Sequence, residues 1–148
     1  ASEGRRRVPT LLKIAPDLSE SQIEAITRLV MDADWQGIIA TNTTIDRSGP
    51  NERYPSPGGL SGRPLEIRST EVIRAIHGVT RGRLPIIGVG GIQTAEDAAA
   101  KLAAGASLVQ TYSGFIFEGP WMAKRMLRGL AAIDSSAASD GAGSQAQP

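Results

Sequence analysis

Short apolar runs alternate with longer amphipathic stretches along this chain. Leu11-Leu12-Lys13-Ile14-Ala15, Gly37-Ile38-Ile39-Ala40-Thr41-Asn42, Pro85-Ile86-Ile87-Gly88-Val89-Gly90-Gly91 and Ser107-Leu108-Val109-Gln110-Thr111-Tyr112 are near-continuous, β-branched and bounded by turn residues. Runs of this kind predict parallel strands buried on both faces. Helical spacing follows each one. Ser19 with Gln22 reads as a capping box opening a helix that carries Ile23, Ile26, Val30 and Ala33. Val72, Ile73, Ile76 and Val79 form a second stripe ending near Gly82, and Thr94 caps an Ala-rich third helix that stops at Gly105. Pro120 takes the first position of a fourth, with Met126, Leu127, Leu130 and Ile133 behind it.

Strand then helix, four times over, predicts a parallel sheet with right-handed crossovers. An open doubly wound sheet and a piece of a (β/α)8 barrel both satisfy that order. The first unit opens without Gly-x-Gly-x-x-Gly, which weighs against a dinucleotide fold. A complete barrel takes roughly 250 residues, so a barrel reading leaves room for about half of one. The expected organisation is a connector over 1–9, the α/β region over 10–133, and a Ser/Ala/Gly-rich disordered tail over 134–148. The connection over 43–65 has no apolar periodicity and is rich in Pro, Gly, Ser and charge. A loop of that length after the carboxyl end of a strand reads as a lid or binding loop.

Composition removes several classes. The chain has 148 residues, no cysteine and a formal net charge of +1, with 41% hydrophobic and 4% aromatic residues. A disulfide scaffold, a thiolate metal site and a cysteine nucleophile are excluded. The near-neutral balance does not suit a nucleic-acid binder, and Arg5-Arg6-Arg7 is too short for a basic tract. No apolar run approaches the ~18–20 residues of a membrane span. The first residue is Ala, not Met, which reads as a processed or cut end of something longer.

The candidate chemistry gathers at strand ends. Lys13 interrupts an apolar strand, and it reads either as a cation aimed at a ligand or as a strand-end lysine snorkelling to water. Thr41-Asn42-Thr43-Thr44 closes the second strand with four short polar side chains, suited to a polar ligand or to a turn. Gly88-Val89-Gly90-Gly91 ends the third strand just before the Thr94 helix, and Ser113-Gly114 ends the fourth. Glycines aimed at a helix N-terminus suit a phosphate, through free N–H groups and the helix dipole. Gly58-Gly59-Leu60-Ser61-Gly62 is a weaker signal of the same sort. His77 reads as structural or exposed, and Met122, Met126 and Trp121 as helix packing. Asp97 reads as helix-start electrostatics, and Asp17, Asp46, Glu96 and Asp97 form no metal-ligand spacing.

Five ordered motifs then resemble the dihydroorotate dehydrogenase family. They are Lys13-Ile14-Ala15-Pro16-Asp17-Leu18, Thr41-Asn42-Thr43-Thr44, Gly58-Gly59-Leu60-Ser61-Gly62-Arg63-Pro64-Leu65, Pro85-Ile86-Ile87-Gly88-Val89-Gly90-Gly91, and Gly105-Ala106-Ser107-Leu108-Val109-Gln110 with Tyr112. The likeness runs from about Val8 to Leu130 and is nearer to the quinone-dependent class 2 enzymes than to the soluble class 1 enzymes. It implies an α/β fold of the FMN-binding (β/α)8 TIM-barrel type, this chain supplying about the last four β/α units. It also implies that Lys13, Thr41, Gly62, Gly91, Tyr112 and Ser113 contact FMN, with Gly91, Tyr112 and Ser113 at the phosphate. Asn42 and Thr43 would hydrogen-bond the pyrimidine. Ser113 stands where the family often has Thr, and Pro57 where it usually has Thr.

The implied reaction is the oxidation of dihydroorotate to orotate in pyrimidine biosynthesis. A base takes a ring proton, the flavin accepts the electron pair, and quinone reoxidises it. The base is a serine expected upstream, and Ser61 does not match its motif. The implied partners are therefore dihydroorotate or orotate, quinone and the upstream half of the barrel. The implied location is a peripheral one, on a bacterial inner membrane or the mitochondrial inner membrane, through a segment that this chain does not carry. The isolated chain is expected to be inactive. Another FMN barrel enzyme, or a non-catalytic phosphate-binding module, is the alternative.

Overall fold

The computed structural model describes residues 8–48 and 57–143; Arg5, Arg6 and Arg7 and the middle of the long connection fall outside them. Four strands, β1 (Leu11–Ile14), β2 (Gly37–Ala40), β3 (Ile86–Val89) and β4 (Leu108–Gln110), form one sheet in the order β1-β2-β3-β4, every pair parallel. The interleaved helices are α1 (Glu20–Asp32), α2 (Glu66–Thr80), α3 (Ala95–Ala103), α4 (Ser113–Glu118) and α5 (Met122–Gly143). Strictly sequential order decides between the two architectures. A doubly wound sheet reverses its strand order at a switch point, whereas right-handed crossovers taken in sequence put every helix on one face, as in a barrel wall.

Side-chain parity shows the same. Ile14, Ile38, Ala40 and Ile86 point toward the helices and pack with Ile23 and Val30 of α1 and with Val72, Ile73 and Ile76 of α2. The alternate positions Lys13, Ile39, Ile87 and Leu108 are register partners across all four strands. They line the other face, where Leu108 is 63% exposed. A second cluster of Ile92, Ala98, Met122 and Met126, flanked by Val109 and Leu130, joins β4 to α3 and α5.

Local signals produce the helix boundaries. Ser19 and Gln22 form a reciprocal capping box, as do Thr94 and Asp97. Arg81 takes the left-handed cap of α2, with φ 52°, and Gly82 follows at φ 74°.

Four expectations need amending. Pro120 lies in the turn before α5, not at its first position, because α4 occupies the preceding residues. Leu127 is 68% exposed, since Met122, Met126, Leu130 and Ile133 share the inward face at spacings of four and three. Trp121 is 67% exposed rather than packed, with the Lys124 ammonium over its ring. Finally, α5 runs to Gly143, so the tail boundary expected at 134 falls inside a helix. Alanine-rich sequence supports helix without an apolar stripe, and the Ser135 and Ser136 hydroxyls donate back to the carbonyls of Ala131 and Ile133.

Lys101 is the least expected member of the interior. Its side chain is 0% exposed, and its pKa is pushed down from 10.5 to about 8 by burial, partly offset by the Glu66 carboxylate of α2 and the Asp97 carboxylate of α3. Between about pH 8 and pH 10.5 the unfolded chain therefore binds more protons than the folded one. Stability rises with pH across that window, by about 3 kcal/mol in all. Urea melts at pH 7.5 and pH 10 test this. Lys101→Met is expected to lose the rise, and parallel pH profiles for the two proteins would contradict it.

Candidate active site

All eight residues singled out from the sequence, Lys13, Thr41, Asn42, Thr43, Gly62, Gly91, Tyr112 and Ser113, line one cleft at the carboxyl ends of the strands. Topology explains the convergence, since parallel strands deliver all their carboxyl ends to one rim. Lys13 projects from the face away from the helices and lines the cleft. Lys13 is exposed there.

Backbone bonds hold the strand ends. Thr41 N–H donates to Val89 O at 2.8 Å, and Asn42 N–H to Ile14 O at 2.7 Å. Asn42 is exposed and Thr43 half-buried in the cleft. The chain beyond them is pinned by a two-bond antiparallel bridge between Thr44 and Leu60, at 3.1 and 2.8 Å. The Asp17 carboxylate accepts from the Thr44 hydroxyl and from Ile45 N–H. Gly59 is packed so closely on Thr43 that a Cβ there would fall 1.9 Å from Thr43 Oγ1.

The opposite wall is made of glycines and a serine pair. Gly91 has φ 74°, and a Cβ on it would lie 2.3 Å from Glu66 Cα. A Cβ on Gly114 would lie 2.5 Å from Ile92 O. Gly62, at φ 82°, abuts Ser113, and the Ser61 and Ser113 hydroxyls are 2.9 Å apart. The amides of Gly91, Ser113 and Gly114 have no partner among the described residues, and Gly91 and Gly114 are buried. Buried N–H groups normally have acceptors, so these point to an acceptor brought by a ligand. The residues thus fit a phosphate: their amides are open to the cleft, and the absence of a Cβ at Gly91 and Gly114 lets these backbones sit tight against Glu66 and Ile92 behind it.

One part of the sequence reading changes. The start of α3 does not offer its amides to the cleft. The Asp97 carboxylate accepts from Gln93 N–H at 2.9 Å and from Thr94 N–H at 3.0 Å, and Asp97 is also paired with Arg63 at 3.3 Å. Its own capping carboxylate already satisfies that helix end. Sequence reasoning also passed over Thr111, whose hydroxyl donates to Ile92 O at 2.9 Å and ties the ends of β3 and β4 together. Its place beside Tyr112 at a strand end was the available signal. Ser61, Leu65, Val89, Gly90 and Ile92 complete much of the lining.

A sequential parallel sheet with helices on one face and a glycine-lined cleft at the carboxyl ends of its strands defines the class: part of a (β/α) barrel. The chain belongs to the dihydroorotate dehydrogenase family, whose family model matches residues 1–133. It is 55% identical over 127 residues to a dihydroorotate dehydrogenase (quinone) of Gloeobacter violaceus, covering 86% of this chain and 36% of that protein. The protein of the same name from Acaryochloris marina is 53% identical, covering 87% and 37%. Among solved structures, Eimeria tenella DHODH in complex with ferulenol superimposes with a TM-score of 0.81 at 39% identity, covering 86% of this chain and 34% of that one. The chain thus spans little more than a third of the length of these relatives. The family implies a flavin cofactor. No helix among the described residues is long and apolar enough to cross a membrane.

Proposed function

We propose that this chain contributes the phosphate cradle and part of the substrate wall of a quinone-dependent dihydroorotate dehydrogenase that uses FMN. The observation that carries the reading is the unpartnered set of amides at Gly91, Ser113 and Gly114, set in a glycine cradle facing Lys13, Asn42 and Thr43. When bound, FMN supplies a two-electron acceptor. Gly91, Tyr112 and Ser113 would hold its phosphate, and Gly62 and Thr41 would close on it. Lys13 places a positive charge on the open sheet face, where it would stabilise negative charge on a bound flavin. Asn42 offers an amide and Thr43 a hydroxyl to orient a pyrimidine carboxylic acid. The proton from the substrate ring would go to a serine of the upstream half. Quinone as final acceptor, and hence contact with a membrane surface, is supported by the names of the relatives.

Asn42 gives a direct test. It is exposed and its side chain makes no hydrogen bond among the described residues, so its loss should leave the fold intact. Asn42→Ala is expected to weaken orotate binding about 10–100-fold with FMN binding unchanged, as for a lost hydrogen bond to a charged group. Isothermal titration of the flavin-loaded protein measures it. Unaltered orotate affinity would remove Asn42 from the substrate wall.

A further inference from the structure

Lys101 has no assigned part in the site, yet it sits directly behind the cradle. Its ammonium donates to Glu66 O at 2.6 Å, Ser69 Oγ at 2.6 Å and Thr70 Oγ1 at 2.5 Å. Ser69 Oγ in turn donates to Gly90 O at 3.0 Å. The Glu66 backbone is the surface against which Gly91 is pressed. One lysine from α3 therefore grips the first turn of α2 and, through Ser69, the peptide that carries the Gly91 amide.

Stability does not account for a lysine here. The ammonium is out of water and sits at the positive end of α2, and both features work against it. An apolar side chain of similar length would avoid both costs. It would leave no hydroxyl proton stranded, since Ser69 still donates to Gly90 O and Thr70 to Glu66 O at 2.7 Å. What an apolar residue could not do is fix the α2 turn and the Gly90–Gly91 peptide against each other while adding positive charge behind an anion site.

We propose that Lys101 is a positioning residue of the cofactor-phosphate cradle, acting through Ser69 and the Glu66 carbonyl on Gly90 and Gly91. The assignment of the anion rests on the flavin reading above; the positioning itself does not.

The test uses Lys101→Met and Ser69→Ala in the full chain. Without ligand, hydrogen exchange should quicken in Lys101→Met over residues 62–70 and 88–92 and stay unchanged in β1 and β2. Ser69→Ala should quicken 88–92 alone. In the flavin-loading form, Lys101→Met should weaken FMN about tenfold and leave riboflavin, which lacks the phosphate, unaffected. Its melting temperature should be equal to or above the parent's. Uniformly faster exchange with a lower melting temperature would mean a purely structural lysine and overturn the proposal, as would unchanged exchange and unchanged FMN affinity. Failure of the unsubstituted protein to take up FMN, with the two exchange patterns as described, would overturn the flavin reading while supporting the positioning role.

Discussion

Gly91→Ala is expected to weaken flavin binding at least about 100-fold and to lower stability by about 3 kcal/mol. The new Cβ would lie 2.3 Å from Glu66 Cα and 2.5 Å from Glu66 N. Both are backbone atoms of a helical turn that Lys101 holds from behind, so neither can move aside cheaply. The residue must also keep φ 74°, which an L side chain adopts at a cost. Gly58→Ala is the matched control. Gly58 has φ 100° but nothing within 4 Å of an added Cβ, so it should lose only about 1–2 kcal/mol and bind flavin as before. Urea melts and flavin-fluorescence titrations report both effects. A Gly91→Ala protein that takes up FMN as the parent does would mean that the anion sits elsewhere.

The second large effect concerns turnover. A polypeptide of these residues alone should show no dihydroorotate-dependent dye reduction, and activity should appear when the upstream portion of a relative such as the Gloeobacter violaceus protein is supplied. The sheet explains why. Among the described residues, β1 and β4 each have one unpaired edge, and no strand or helix covers the face carrying Lys13, Ile39, Ile87 and Leu108. Open parallel edges with an apolar face invite pairing or aggregation. The substrate would meet Asn42 and Thr43 on one side only. Turnover by the chain alone would show that the site is complete without a partner half.

Much of this site was legible because a parallel sheet turns sequence position into spatial position. Once the runs at Leu11, Gly37, Pro85 and Ser107 are read as strands, Lys13, Asn42, Gly91 and Ser113 must meet at one rim. Bottom-up reading reached the glycines at 90 and 91 and the polar end of β2. Gly62 was only a weak signal within a glycine-rich loop, and Tyr112 came only with the family resemblance, because nothing local distinguishes a strand-end tyrosine from its neighbours. α4 was invisible for a physical reason. Its six residues carry Phe115, Ile116 and Phe117 consecutively, without helical periodicity, and all three are exposed. Lys101 was invisible because a lysine in an Ala-rich helix reads as a solvated one. Only its spacing of three from the buried Ala98 hinted that it points inward. The role of Asp97 was read correctly as a helix-start carboxylate, but its ion pair with Arg63 depends on the return of the long connection and has no local signature.

The visible absorption spectrum of the chain reconstituted with an upstream half, loaded with FMN and then titrated with orotate, tests the central claim most directly. About one protein-bound flavin per chain is expected, with a band that orotate perturbs and that Asn42→Ala leaves insensitive to orotate. Flavin that passes wholly into the ultrafiltrate, from a mixture in which both halves are folded, would contradict it.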